Sequence, residues 1–308
     1  MITRLRGAGI AIYMTPWPAT FRWKLSLIGA IVVFSVQHPI SGRHPVRTLW
    51  RIIGWQLRSR VQPLVVWPWI GGAQLVVSRG MSGATGNIYC GLHECPDMAF
   101  VLHLLRPGDL FVDVGANVGS YTVLASRVCG ASSVSIEPGD EARQALSRNL
   151  RQNGIEGLVE IVASAVGSSD GEIAFTEGLD TVNRVATAAD ESSVVVPMRC
   201  LDSIVASKRP VLIKIDVEGF EEEVVRGARK TLEQPSLLAV ELETVTGTIE
   251  GMLRDAGFER VAYDPFTRKV VAPTPELMGH NALFVRDRAE VRRRVESAAR
   301  RKVYGVEI

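Results

Sequence analysis

Short apolar runs recur through the middle of the chain, and several close on an acid or a glycine. Leu110, Phe111, Val112 and Val114 enclose a single acid, Asp113, and read as an interior strand with both faces buried. Gly115 and Gly119 follow at once, and a helix is expected from about Ser120. Residues 134–137, 158–162, 211–216, 237–241 and 282–285 repeat the strand pattern, while 221–232 has helical character. Residues 172–176 and 194–199 read as an antiparallel excursion. Strand and helix alternate, which predicts an α/β fold, a doubly wound and mostly parallel sheet.

Before the first of these strands the pattern changes. Residues 47–60 have helical spacing, with Leu49, Ile52, Ile53 and Leu57 on one apolar side, whereas 61–77 contains Pro63, Pro68, Gly71 and Gly72 and cannot be a clean helix. Short strands or loops are expected there. Residues 25–42 carry no Lys, Arg, Asp or Glu and follow Arg4, Arg6, Arg22 and Lys24. Gln37, His38 and Pro39 leave about a dozen strongly apolar positions, short of the roughly twenty that a spanning helix needs. A buried or amphipathic extension is the first expectation and a membrane anchor the second; no small-residue cleavage site marks a secretory signal. At the other end, 286–302 is basic, with Val291, Val295, Ala298 and Ala299 on one helical face. A solvated terminal helix is the default, binding to an anionic membrane surface the alternative. The expected divisions are an extension over 1–44, a cap over 45–100, a Rossmann-like domain over 101–286 and a basic helix over 287–308.

The strand, glycine loop and helix around Asp113 define a cofactor site. The glycines let the backbone turn tightly and approach a ligand, and the helix start offers unpaired N–H groups. A dinucleotide fingerprint begun at Gly115 needs glycines at 117 and 120, where Asn117 and Ser120 stand. An acid at a strand end suits a cationic amino group instead, which favours S-adenosylmethionine over NAD. Glu137 closes the next strand about twenty residues on, the place of a ribose-binding carboxylate. A third strand runs into Asp216, Glu218 and Gly219, so Asp113, Glu137 and Asp216 are expected to converge at one crevice; Lys214 in that strand has no firm role.

Composition narrows the partners. With 308 residues and 46% hydrophobic content the chain can bury a large core, and a formal charge of +2 gives no reason to expect nucleic acid. Cys90, Cys95, Cys129 and Cys200 have no C-x-x-C spacing, so neither a zinc site nor a disulfide framework is expected, and reduced thiols suit a cytoplasmic setting. Asp216 and Glu218 lack a spaced His or Cys partner, and no obligatory metal is expected.

The residues resemble the FkbM-type S-adenosylmethionine-dependent methyltransferases. The resemblance runs through Gly91-Leu-His-Glu94, Phe111-Val-Asp-Val-Gly-Ala-Asn-Val-Gly119, Ile136-Glu-Pro138, Asn149 with Asn153-Gly154, Ala165-Val-Gly167, Ile213-Lys-Ile-Asp-Val-Glu-Gly219, Arg226-Gly-Ala228 and Asn281-Ala-Leu-Phe284. It begins after residue 45, and His93 departs from it where the family often has an aromatic residue. The resemblance implies a Rossmann-like class I fold and methyl transfer to an oxygen, commonly a hydroxyl of a sugar or polyketide-type small molecule. It also places Glu94 close to the cofactor, against the plainer reading of an acid at a helix N-terminus.

Cofactor contacts are therefore expected from Glu94, Asp113, Gly115, Asn117, Gly119 and Glu137. An alcohol needs a proton acceptor as it attacks, and Asp216, Glu218 and His280 are the catalytic candidates. Asp216 could equally hold the cofactor's amino group or cap the next helix. Residues 178–193 are the expected acceptor loop, with Asn183 and Arg184 as polar contacts. The partner is a small hydroxylated acceptor, with weak membrane-surface contact through the N-terminal segment left open, as is the oligomeric state. Two rival functions remain: an NAD-dependent oxidoreductase, and a non-catalytic, membrane-associated cofactor-binding protein.

Overall fold

The computed structural model describes residues 21–176, 184–186, 193–274 and 279–308, with side chains from residue 29 onward. Asn183 and most of the expected acceptor loop lie outside the described residues.

Helices α1 (Phe21–Gln37) and α2 (Pro45–Val61) lead into a two-stranded antiparallel hairpin, β1 (Val65–Pro68) and β2 (Gln74–Val77). The prolines and glycines that exclude a helix here bound and turn the hairpin. Helices α3 (Ser82–Cys90) and α4 (Cys95–Leu104) follow. Trp55, Leu75, Ile88, Cys90 and Val118 share one apolar cluster, so this N-terminal layer packs onto the glycine loop. Among the described residues no helix is long and apolar enough to cross a membrane.

The chain then enters the main sheet with β3 (Leu110–Val114), α5 (Ser120–Val123, continued by one π-helical turn to Val128), β4 (Ser132–Ile136), α6 (Asp140–Asn153) and β5 (Val159–Val162). Strands β6 (Ala165–Gly167), β7 (Gly171–Thr176) and β8 (Ser193–Cys200) form a separate three-stranded sheet in which β7 and β8 are antiparallel, as the alternation predicts. Helix α7 (Leu201–Val205), β9 (Leu212–Ile215), α8 (Glu221–Arg226), α9 (Arg229–Leu232), β10 (Ala239–Leu242) and α10 (Gly247–Asp255) continue the winding. Strands β11 (Glu259–Asp264), β12 (Lys269–Val271) and β13 (Ala282–Val285), helix α11 (Arg288–Ser297) and the hairpin β14 (Lys302–Val303) with β15 (Val306–Glu307) complete it.

Eight strands lie in the order β12-β11-β13-β10-β9-β3-β4-β5. The five from β10 to β5 are parallel, and β13 is inserted antiparallel to both β10 and β11. Two apolar clusters, one containing Phe100, Phe111 and Val285, the other Val112, Ile213, Val240 and Phe284, sandwich the sheet. Continuous apolar strands follow from burial on both faces.

Two expectations change. The helix over 221–232 is broken at Gly227, where a Cβ would lie 2.0 Å from the carbonyl oxygen of Gly167. The Ala165-Val-Gly167 and Arg226-Gly-Ala228 stretches are thus two sides of one backbone contact. The basic C-terminal segment is not a solvated helix: α11 ends at Ser297, Val291 and Val295 are fully buried, and Ile308 joins the same core. Its arginines pair with Glu290, Glu296 and Asp109, which leaves little charge for a membrane.

Candidate active site

The glycine loop is built as its sequence requires. Gly115, Asn117 and Gly119 all have positive φ, 81°, 48° and 87°. Gly115 and Ala116 donate their N–H groups to Ile136 O, bending the chain over the end of β4. A Cβ on Gly115 would meet the carbonyl oxygen of Asp216 at 1.8 Å, so only glycine lets the ends of β3 and β9 close to this distance. Asn149, on the buried face of α6, accepts from Val76 N at 2.7 Å and donates to Val118 O at 2.8 Å, tying the β1–β2 hairpin to the loop.

Glu137 is buried and grips the loop. Its two oxygens accept from Asn117 N at 2.9 Å and Gly139 N at 2.8 Å. Burial raises its carboxyl above the ordinary range, and these two N–H donors oppose the rise. Asp113 lies beneath the loop rather than in an open crevice: it is 1% exposed and accepts from Thr122 Oγ1 at 2.7 Å, with Thr122 also bonded to Ser135.

Adjacent strands place Asp113, Lys214 and Glu241 in register, one after another across β3, β9 and β10. Lys214 is the cation of this layer. Its Nζ lies 2.5 Å from Asp216 Oδ2 and 4.6 Å from the centre of the Tyr121 ring. Burial opposes its charge, yet Asp216, Glu94 and Asp113 together raise the ammonium above the usual lysine range. Asp216 is pushed up by burial and brought below its ordinary value by Lys214. Glu241 is fully buried, neither oxygen has a partner among the described residues, and burial with the nearby Asp97 holds it well above the carboxylate range.

Three carboxylates meet at the mouths of β9 and β10. One oxygen each of Asp216, Glu218 and Glu243 lies within 4.8 Å of the others. Burial, then Asp216 and Glu221, push Glu218 up to about 7, with Arg184 acting in the opposite sense. Burial, then Asp216 and Glu218, push Glu243 up to about 8. Glu221 braces the turn by accepting from Val217 N and Gly219 N.

Glu94 stands at the start of α4 but does not cap it; its Oε2 accepts from the Tyr121 hydroxyl and, at 3.4 Å, from Asn281 Nδ2. Asp97 is buried and accepts from His280 N at 3.0 Å, and burial with Glu94 pushes it up to about 8. The His280 ring is exposed and stacked on His93, centroids 6.1 Å apart. His93 touches Phe34 at 5.3 Å, and its Nδ1 is buried without a partner among the described residues. Beside this group is a cavity of about 190 Å³, lined among others by Asp97, Glu243, Arg260, Tyr263, His280 and Asn281; no glycine-loop residue lines it.

Asp216, Glu218 and His280 therefore belong to one region, as do Gly115, Asn117, Gly119 and Glu137, the two halves joined at Gly115. Glu243, Asp97 and Tyr121 are the members that sequence reasoning passed over, while Lys214, noted there without a firm role, pairs with Asp216. Glu243 had a signal: like Asp216, it follows an apolar strand directly.

An open sheet with this strand order and a glycine loop at its first switch of direction is a Rossmann-like, doubly wound α/β fold. Residues 113–260 match the model of the methyltransferase FkbM domain. The chain is 28% identical over 137 residues to the hexuronic acid methyltransferase AglP of Haloferax volcanii, covering 44% of this chain and 56% of that protein. It is similar to the solved structure of methyltransferase FkbM from Methylobacillus flagellatus KT, at 17% identity and a TM-score of 0.42 over 61% of this chain and 47% of the other. A precorrin-6y C5,15-methyltransferase from Geobacter metallireducens GS-15 aligns at 14% identity and a TM-score of 0.36, over 63% of this chain and 86% of that one. The chain thus spans about half the length of the first two.

Proposed function

We propose that the protein transfers a methyl group from S-adenosylmethionine to a hydroxyl oxygen of a sugar. One observation carries the reading: the glycine loop and the carboxylates of Asp216, Glu218 and Glu243 meet at one place, through the Gly115–Asp216 backbone contact. An acid-rich crevice suits a ligand with a sulfonium and an ammonium group and repels a pyrophosphate, which sets the NAD reading aside.

The residues fit that cofactor. Glu137, already fixed by two backbone donors, keeps lone pairs for ribose hydroxyls. Glu94 and Asp216 offer negative charge to the amino group, and Asp113 supports the loop through Thr122. When bound, the cofactor supplies an electrophilic methyl carbon. Lys214 keeps Asp216 ionised, a poor proton acceptor but a steady counter-charge. Glu218 and Glu243, raised to about 7 and about 8, are better matched to receive the acceptor's proton near neutral pH, with His280 on the rim of the adjoining cavity. That cavity is assigned to the acceptor, and a hexuronic acid is the first class to try, since the relative from Haloferax volcanii is named for one.

Calorimetry with S-adenosylmethionine and with NAD, followed by incubation of labelled cofactor with uronic acid-containing and neutral oligosaccharides, tests the reading. Binding of the first ligand only, with label on a sugar oxygen, is expected. Binding of NAD alone would overturn it.

A further inference from the structure

The solvent face of α2 is more apolar than its buried face. Val46, Leu49, Trp50, Ile53, Leu57 and Val61 are all exposed, Trp50 at 69% and Val61 at 83%. At about 100° per residue they fall within an arc of roughly 120°. The opposite side, which packs against the protein, carries Thr48, Ile52, Trp55 and Ser59. Leu64 and Val66 extend the exposed apolar surface past the end of the helix, and α1 exposes Val33, Phe34 and Val36 in its last turns. So large an apolar surface on one side of a folded layer marks a docking face.

The charge around it identifies the partner. Residues 1–93 contain ten Lys and Arg and no Asp or Glu; residues 94–308 hold the other twenty-five basic residues and all thirty-three acids. Arg47 and Arg58 flank the α2 stripe and Arg60 lies within it, all exposed. None of the three is ion-paired to a carboxylate among the described residues. A basic, one-sided apolar helix surface with no acids near it in sequence is complementary to an anionic lipid surface.

We infer that the α1–α2 layer docks the protein on the surface of an anionic bilayer, with the α2 stripe seated at the headgroup boundary and its arginines on the lipid phosphates. The one-sidedness of the stripe fits seating on a surface, since the opposite side of α2 is committed to protein contacts. The docking face also reaches the candidate site: Phe34 is exposed and touches His93, which stacks on His280. The inference does not depend on the methyl-transfer reading.

The test is sedimentation of the full-length protein with vesicles of phosphatidylcholine alone or of equal parts phosphatidylcholine and phosphatidylglycerol. Binding to the mixed vesicles at least about tenfold tighter than to neutral ones, and weakening as salt is raised, is expected. Two variants, Trp50→Ser with Leu57→Ser and Val61→Ser, and Arg47→Glu with Arg58→Glu and Arg60→Glu, alter exposed side chains only. Each should lose at least about tenfold while keeping the parent's circular dichroism and melting temperature. Equal binding to both vesicle types, or none, would overturn the inference. So would a concentration-dependent dimer in ultracentrifugation that the serine variant abolishes while vesicles stay unbound, which would assign the face to a second copy of the chain.

Discussion

The carbonyl oxygen of Asp216 fills the space that a Cβ on Gly115 would need, 1.8 Å from where that atom would sit. The glycine loop and the acidic strand end are therefore one backbone assembly, and the positive φ at Gly115 adds a second reason for glycine. Gly115→Ala is expected to cost about 3 kcal/mol or more of stability in urea unfolding and to abolish cofactor binding. A variant of unchanged stability would show that the two strand ends can part freely.

Lys214 is the cation buried among Asp113, Asp216 and Glu241. Lys214→Met strips the buried carboxylates of their counter-charge, and a loss of roughly 3–5 kcal/mol is expected. Glu241→Gln should cost far less, because burial and the nearby Asp97 already oppose the charged form of that acid. Chemical denaturation of the two variants side by side checks the contrast.

Glu218, as the proposed proton acceptor, should set a limb in the pH profile. With a pKa of about 7 it is protonated below neutrality, so kcat should rise with pH through that value and level off above it. In Glu218→Gln the limb should vanish and kcat should fall about 10²–10⁴-fold. A profile that keeps its limb would move the proton acceptor to Glu243 or His280.

The raised carboxyls also act on stability. Glu218 and Glu243 bind protons in the folded chain at pH values where the unfolded chain has released them. Their contribution is full below the unfolded value of about 4.3 and is lost as pH rises through about 7 and about 8. Without cofactor, the urea midpoint should fall between pH 5 and pH 8.5, and Glu243→Gln should flatten that fall. Asp216, held low by Lys214, acts in the opposite sense at acid pH.

Glu137→Ala should weaken S-adenosylmethionine binding more than it slows transfer, because ribose bonds persist from ground to transition state. It also frees Asn117 N and Gly139 N. Unchanged affinity in calorimetry would remove Glu137 from the cofactor site.

Where the fold depends on local pattern, the sequence could be read directly. The apolar run 110–114 and the glycines that follow it form a local pattern, so β3 and the loop were legible, as was the β7–β8 pair, although one reason for glycine at 115 lies in distant Asp216. Properties fixed by distant partners were not. Lys214 gains its meaning from Asp113 and Glu241 on adjacent strands, and Gly227 from Gly167 sixty residues earlier. The basic tail looked solvated because its acidic partner Asp109 and its core neighbours lie far back along the chain.

The position of β13 has a practical consequence for anyone cutting the gene. The family match ends at residue 260, yet residues 282–285 form the strand wedged between β10 and β11. A fragment that stopped where the match stops would cut β11 after its second residue, lose β12 and β13, uncover an edge of β10 and discard the Asn281 amide that reaches Glu94. The smallest piece worth expressing is set by sheet closure, and it runs past β13 into α11, which packs against α4 and β12.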